Sequence, residues 1–308
     1  MSKKLLNHNL NIKIYKFYSQ NKHMYLTLKN GSKIYYNYLN QNSKKTPILF
    51  IHSFAMNWTC FRGEINKFKK KDYPVIYFDL PGHGKSSTPQ EYKKYNFKNI
   101  SQIIKQLLDS LNVKRVICVG YSMGGMIAIK FTTNNKQYVS KLIILNSANK
   151  YPDTFKIFKK FKGTHLFKNT FDIFSKNQTK RSTKQNKQDI DMLQAELNSK
   201  NISTFFLKNV FRMSSRSVFY FIDVIFNTNL RNLNKIECPV LVLHPKKDQF
   251  FSNKEDLNFS KKIKNAVYKN VNGGHDNVII NSNLIFKEIN KFIHNTDKNF
   301  LKKQSKPN

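Results

Sequence analysis

The sequence predicts an α/β protein, a parallel sheet with crossover helices that is interrupted once by a helical insertion. Three observations carry this. Short continuous apolar runs at 47–51, 74–78, 116–119, 141–145 and 239–244 have the length and branched content of strands buried on both faces. Between the earlier runs lie stretches with helical spacing, and that alternation is the pattern of parallel strands joined by crossover helices. From about residue 150 to 233 the rhythm stops, aromatic residues and lysines crowd together, and then the strand pattern resumes.

The elements follow in order. Residues 1–20 read as a Lys- and Asn-rich extension with a short apolar stretch through Ile12 and Ile14. Segments 24–28 and 33–39 flank Asn30-Gly31, the signature of a hairpin. After a polar link, strand 47–51 ends in His52-Ser53-Phe54-Ala55, and a helix is expected over 57–70. Strand 74–78 runs into Asp79-Leu80-Pro81-Gly82-His83-Gly84-Lys85-Ser86, dense in turn residues. Gly84-Lys85-Ser86 is not a phosphate loop, because Asp79 stands where the motif needs its first glycine and Pro89 argues against a following helix. Ile100, Ile103, Ile104, Leu107, Leu108 and Leu111 share one helical face, predicting a helix over 97–111. Strand 116–119 leads into Gly120-Tyr121-Ser122-Met123-Gly124-Gly125 and a helical run at 126–131.

Within the insertion, Ile190, Leu193 and Leu197, then Phe205, Phe206, Val210 and Met213, keep helical spacing. Strand 239–244, a helix near 254–263, a short strand 266–271 and a closing helix 282–294 complete the chain. The expected organisation is an extension (1–20), a core (21–149 and 234–296), a helical cap insertion (150–233) and a C-terminal tail (297–308).

Composition narrows the function. Lys and Arg number 54 against 18 Asp and Glu, a formal net charge of +36. The basic residues are spread along the whole chain rather than gathered in one arm, so a generally basic solvated surface is the reading and no specific nucleic-acid partner is expected. Cys60, Cys118 and Cys238 share no metal-ligand spacing, which points to a reducing compartment. No apolar run approaches the roughly 18 residues of a membrane span. The cytoplasm is the default location, with the acid-free, basic N-terminal stretch as the feature that would favour an organellar leader.

The chemistry centres on Ser122. G-x-S-x-G between a strand and a helix is a sharp turn that lifts a serine hydroxyl above the sheet edge. The N–H of Met123, at the helix start, is placed to donate to a developing oxyanion. A serine nucleophile needs a base and a carboxylate that orients the base. Asp248, beyond the end of strand 239–244, and His275, in Asn272-Gly273-Gly274-His275-Asp276, follow the serine in the right order. Asp256 and Asp276 are rival acids, while the segment after strand 141–145 offers only Asn146 and Asn149 before Asp153. The N–H of Phe54, in the loop after strand 47–51, is the candidate second oxyanion donor, and His52 reads as a structural residue of that loop.

These motifs together resemble the α/β-hydrolase superfamily, in its serine-nucleophile, lid-containing, esterase- and lipase-like branch, over residues 24–294. The resemblance implies a mostly parallel eight-stranded sheet flanked by helices, with a helical cap inserted after the sixth strand. It implies a catalytic triad of Ser122, Asp248 and His275, with Phe54 and Met123 forming the oxyanion hole. Ser53 departs from the family's usual glycine at that position. The haloalkane dehalogenase and epoxide hydrolase branches, which resemble this fold, carry Asp where this chain has Ser122. The implied activity is hydrolysis of a small-molecule carboxylic ester, thioester or lactone through an acyl-enzyme, with no metal or organic cofactor. The basic surface would suit a substrate on an acidic carrier protein or at an anionic membrane surface. Two other readings share the sequence: a lyase or carbon–carbon hydrolase of the menaquinone-pathway or ring-cleavage type, and a non-catalytic anion-binding protein on the same scaffold.

Overall fold

The computed structural model describes residues 24–89, 91, 96–151, 210 and 213–304. The extension expected at 1–20 and most of the insertion expected at 150–233 lie outside the described residues.

Eight strands form one sheet in the order β1-β2-β4-β3-β5-β6-β7-β8. They are β1 (Met24–Thr27), β2 (Lys33–Leu39), β3 (Ile48–Ile51), β4 (Val75–Phe78), β5 (Val116–Tyr121), β6 (Val139–Leu145), β7 (Val240–Lys247) and β8 (Ala266–Gly274). The β1–β2 and β2–β4 pairs are antiparallel and all the others parallel. Strand order reverses at β3, which lies between β4 and β5. In an open α/β sheet the crevice at such a switch point, beyond the carboxyl ends of the strands, is where ligands bind.

The helices are α1 (Arg62–Lys70), α2 (Phe97–Ser110), α3 (Met123–Asn134), α4 (Ser215–Asn227), α5 (Asn253–Ser260), α6 (Asn277–Ile280) and α7 (Ser282–Gln304). They explain why the central strands are apolar throughout. Alternate residues point to opposite faces, and both faces are covered. Leu49, Ile51, Cys118, Leu142, Ile144, Val240 and Val242 enter one core with Ile104 and Leu108 of α2 and Ile127 and Phe131 of α3. Ile48, Phe50, Ile117, Val119, Ile143, Leu145, Leu241 and Leu243 enter the other with Ile65 and Phe68 of α1 and Ile285 and Ile289 of α7. Fully burying a side chain of this size contributes about 1.5–3 kcal/mol.

Several boundaries differ from the sequence reading. The helix expected over 57–70 opens with a 3-10 turn, Trp58–Phe61, because Asn57 caps Thr59 N and the Trp58 amide donates to Asp79 Oδ1 instead of continuing a ladder. Strands β7 and β8 run three residues further than their apolar cores suggested. Helix α7 continues to Gln304, past the expected boundary at 297, since no Gly or Pro punctuates the chain before Pro307. No helix among the described residues is long and apolar enough to cross a membrane. The segment that leaves β6 meets the segment that returns to β7. Lys150 bridges Asn229, and the Leu230 amide donates to Asn149 O at 2.8 Å.

Candidate active site

The site is built on the turn between β5 and α3. Ser122 has φ 52° and ψ −118°, outside the regions that L-residues favour. Such a residue costs of order 1–3 kcal/mol and persists only where its surroundings over-determine it. Here the Ser122 amide donates to Leu145 O of the neighbouring strand at 2.9 Å, and its carbonyl accepts from the Gly125 amide at 2.8 Å. Two glycines permit the close approach. A Cβ at Gly120 would stand 2.3 Å from Gly124 O, and one at Gly124 would stand 2.1 Å from Ile51 O and 2.5 Å from His52 O. The start of α3 is therefore pressed against the backbone that carries His52, Ser53 and Phe54.

Asp248 and His275 come together through strand register. Lys247, the last residue of β7, pairs with Gly274, the last of β8. The next residue on each strand is Asp248 and His275. The His275 Nδ1–H donates to Asp248 Oδ2 at 2.9 Å, and the Ser122 hydroxyl donates to His275 Nε2 at 3.0 Å. A carboxylate only accepts, so this arrangement fixes the tautomer that leaves Nε2 as a base. Asp248 is itself held, since its Oδ1 accepts from the amides of Phe250 at 2.8 Å and Phe251 at 3.1 Å. The Asp248 side chain is buried, whereas that of His275 is 13 % exposed.

The His275 backbone is anchored as well. Its carbonyl accepts from the Tyr121 hydroxyl at 2.9 Å and from Asn146 Nδ2 at 2.7 Å. Asn146 Nδ2 also donates to Asn277 Oδ1 at 2.9 Å. Burial, with smaller contributions from Cys60 and nearby acids, raises the Tyr121 pKa well above that of a free phenol, so the hydroxyl stays a donor. The imidazole is ringed by Phe250 at 4.7 Å, Tyr121 at 5.5 Å and Phe251 at 5.9 Å between centroids. Sequence reasoning missed Tyr121 as a support of this loop, and noted Asn146 only for not being an acid.

His52 takes the structural place expected of it. Its Nδ1–H donates to Ser53 O at 2.8 Å, and its Nε2 accepts from the Leu80 amide at 2.9 Å. Complete burial, then the neighbouring His83, lowers its pKa well below that of a free imidazole. Asp79 ties the following loop, accepting from the amides of Trp58 at 3.0 Å and Lys85 at 2.8 Å. Phe54 and Met123, the two expected amide donors, stand on the two segments that meet at Gly124.

Neither rival acid takes the bond from His275 Nδ1–H, which goes to Asp248. Asp256 on α5 accepts from His244 Nδ1–H at 2.8 Å, and both side chains are buried. Asp276 precedes α6 at its N-cap position. This second His–Asp pair was not legible as a pair, because β7 and α5 meet only once the chain is folded.

A serine, a histidine and a buried aspartate thus lie in one hydrogen-bonded line at the edge of the sheet, with the serine on a strained strand–helix turn. The chain belongs to the α/β-hydrolase fold family, whose profile matches residues 46–282. It is 29% identical over 153 residues to epoxide hydrolase 4 of Mus musculus, a match covering 49% of this chain and 42% of that protein. It is 23% identical over 286 residues to a putative esterase/lipase of Haemophilus influenzae, covering 91% of this chain and 94% of that protein. Among solved structures, the enol-lactonase from Burkholderia xenovorans LB400 superposes with a TM-score of 0.69 at 16% identity, covering 88% of this chain and 100% of that one.

Proposed function

We propose that this hydrolase cleaves a carboxylic ester, thioester or lactone through an acyl-enzyme on Ser122. The reading rests above all on the line from Asp248 through His275 to the Ser122 hydroxyl, with contacts of 2.9 and 3.0 Å. In the first step His275 Nε2 takes the Ser122 proton as Oγ attacks the carbonyl carbon. The tetrahedral oxyanion forms beside the amides of Phe54 and Met123, and α3 adds the positive end of its dipole there. His275 then gives its proton to the leaving alcohol or thiol. Finally, a water deprotonated by His275 attacks the acyl carbon and frees Ser122. Asp248 stays ionised and holds the imidazolium in place.

Ser122 at the elbow supports acyl transfer over epoxide opening, since the epoxide hydrolase branch carries Asp there. The alignment with a putative esterase/lipase over nearly its whole length supports the same reading.

The test is hydrolysis of p-nitrophenyl esters across acyl lengths by the wild type and Ser122→Ala. Removing the nucleophile is expected to lower kcat by about 10³-fold or more. Equal turnover by the variant would refute the assignment. No turnover by the wild type, with Ser122 still labelled by a fluorophosphonate, would instead support elimination or carbon–carbon cleavage on the same triad. An unlabelled serine would indicate a non-catalytic scaffold.

A further inference from the structure

One buried polar atom beside this site has no part in the chemistry above. His83 lies in the loop after β4 and is 2% exposed. Its Nδ1 sits 3.1 Å from Pro81 O, and because a carbonyl only accepts, Nδ1 carries the proton. Nε2, across the ring, is therefore a bare lone pair, and it is buried with no hydrogen-bond partner among the described residues. His52, the adjacent imidazole, has both nitrogens engaged, so the unpaired atom belongs to His83 alone of the two. Burial, opposed by the bond to Pro81, brings the His83 pKa down to about 4, which keeps the ring neutral and Nε2 an acceptor at neutral pH.

The surroundings place that atom at a seam. The His83 ring lies 5.1 Å from His52, 6.2 Å from Phe54 and 4.8 Å from Phe221 of α4. Phe54 belongs to the loop pressed against the start of α3, and α4 is the described helix of the insertion. The unpaired lone pair thus belongs to a ring that has the loop carrying a candidate oxyanion donor on one side and Phe221 of α4 among its other neighbours. Buried polar atoms in native proteins are nearly always paired, so an orphan in such a place calls for a partner.

We propose that His83 Nε2 is a specificity group of this site that accepts a hydrogen bond from a hydroxyl or N–H on the acyl chain, making hydroxylated or amide-bearing acyl esters the preferred substrates. The inference rests on the ester-hydrolase reading above. A site built around a buried acceptor rejects the analogue that lacks the donor, because the acceptor is then left desolvated and unpaired. The rejection is stronger than any that a purely apolar pocket achieves against a missing methylene.

The experiment compares p-nitrophenyl hexanoate with its 2-hydroxy, 3-hydroxy, 6-hydroxy and 6-acetamido derivatives. The readout is the ratio of kcat/KM, derivative to parent, within each protein. In the wild type at least one derivative is expected to exceed the parent by about tenfold or more. In His83→Phe that ratio should fall to about one, while His83→Gln, whose amide oxygen restores an acceptor, should keep part of it. Turnover of the parent ester with no preference for any derivative overturns the inference alone, and needs no variant to do so. A preference that survives in His83→Phe overturns it equally. No turnover of any ester refutes the ester-hydrolase reading, and this inference with it.

Discussion

The His275 carbonyl offers a test of how the base is held. It accepts from Tyr121 at 2.9 Å and from Asn146 at 2.7 Å, so either donor still satisfies it when the other is removed. Tyr121→Phe deletes one donor and keeps the ring against the imidazole, which should cost about 1 kcal/mol of stability. Asn146→Gly deletes the other donor and the bond to Asn277 Oδ1, about 2 kcal/mol at 1 kcal/mol per bond. Glycine suits that position because Asn146 has φ 51°. The extra freedom it gives the unfolded chain enters the single and double variants alike and cancels in a cycle. In the double variant the carbonyl loses both donors, and the penalty for an unsatisfied group adds about 1–2 kcal/mol beyond the sum of the singles.

The assay is urea unfolding at pH 7 for the four proteins, paired with kcat and KM on a p-nitrophenyl ester. A misplacement of the base by about 1 Å is worth up to 10²-fold in rate, so kcat should fall about tenfold in each single variant and further in the double, with KM little changed. Additivity within about 0.3 kcal/mol, together with an unchanged kcat in the double variant, would refute the view that these two residues jointly position His275.

Two further predictions follow from contacts around the same sheet edge. Gly124→Ala puts a Cβ at 2.1 Å from Ile51 O and 2.5 Å from His52 O, both backbone atoms, so the loop bearing Phe54 must shift. Thermal melts should show a loss of about 1–3 kcal/mol, with kcat reduced as well, and an unaltered kcat would show that the close approach is dispensable. Asp256 has its pKa raised from 3.8 to about 6, chiefly by burial, with the bond from His244 opposing. The folded protein then holds this proton more tightly than the unfolded chain, so the group's contribution is greatest below about pH 4 and is lost as pH rises through 6. Asp256→Asn removes that loss, and its stability relative to the wild type should rise by about 2 kcal/mol between pH 4 and 7 in urea titrations. A pH-independent difference would refute it.

The parts of the fold legible in the sequence were those whose cause is local or periodic. Strands β3 to β7 showed as apolar runs because both their faces are buried, and Ser122 showed because its turn demands glycines at 120 and 124. Asp248 and His275 were readable from chain order, yet their adjacency depends on the pairing of Lys247 with Gly274. That pairing was hidden, because β7 and β8 extend beyond the covered part of the sheet in polar residues such as Lys246 and Lys247, which are exposed. Tyr121 and Asn146 serve a backbone carbonyl, and a bond to a carbonyl leaves no pattern of side-chain types to find. The partner of His244 was hidden for another reason: a buried polar pair breaks the apolar pattern on β7 without saying which element will answer it.

Ser53 shows how a departure in sequence need not be one in backbone. The resemblance places glycine after His52, and glycine suggests a conformation that L-residues avoid. Ser53 is not among the residues with positive φ; the left-handed residue of this loop is Ala55, at φ 54°. The turn closes from the Met56 amide to Ser53 O at 3.3 Å, and the same carbonyl accepts from His52 Nδ1–H. A serine side chain is thus compatible with the first position, because the strain sits two residues later on a side chain of a single carbon. Ala55 and Ser122, at φ 54° and 52°, lie on the two segments that touch at Gly124. Each residue held at such a positive φ costs of order 1–3 kcal/mol. Both are held by a sheet whose strands are buried on either face, and that rigidity is what lets the strain persist where the reacting groups converge.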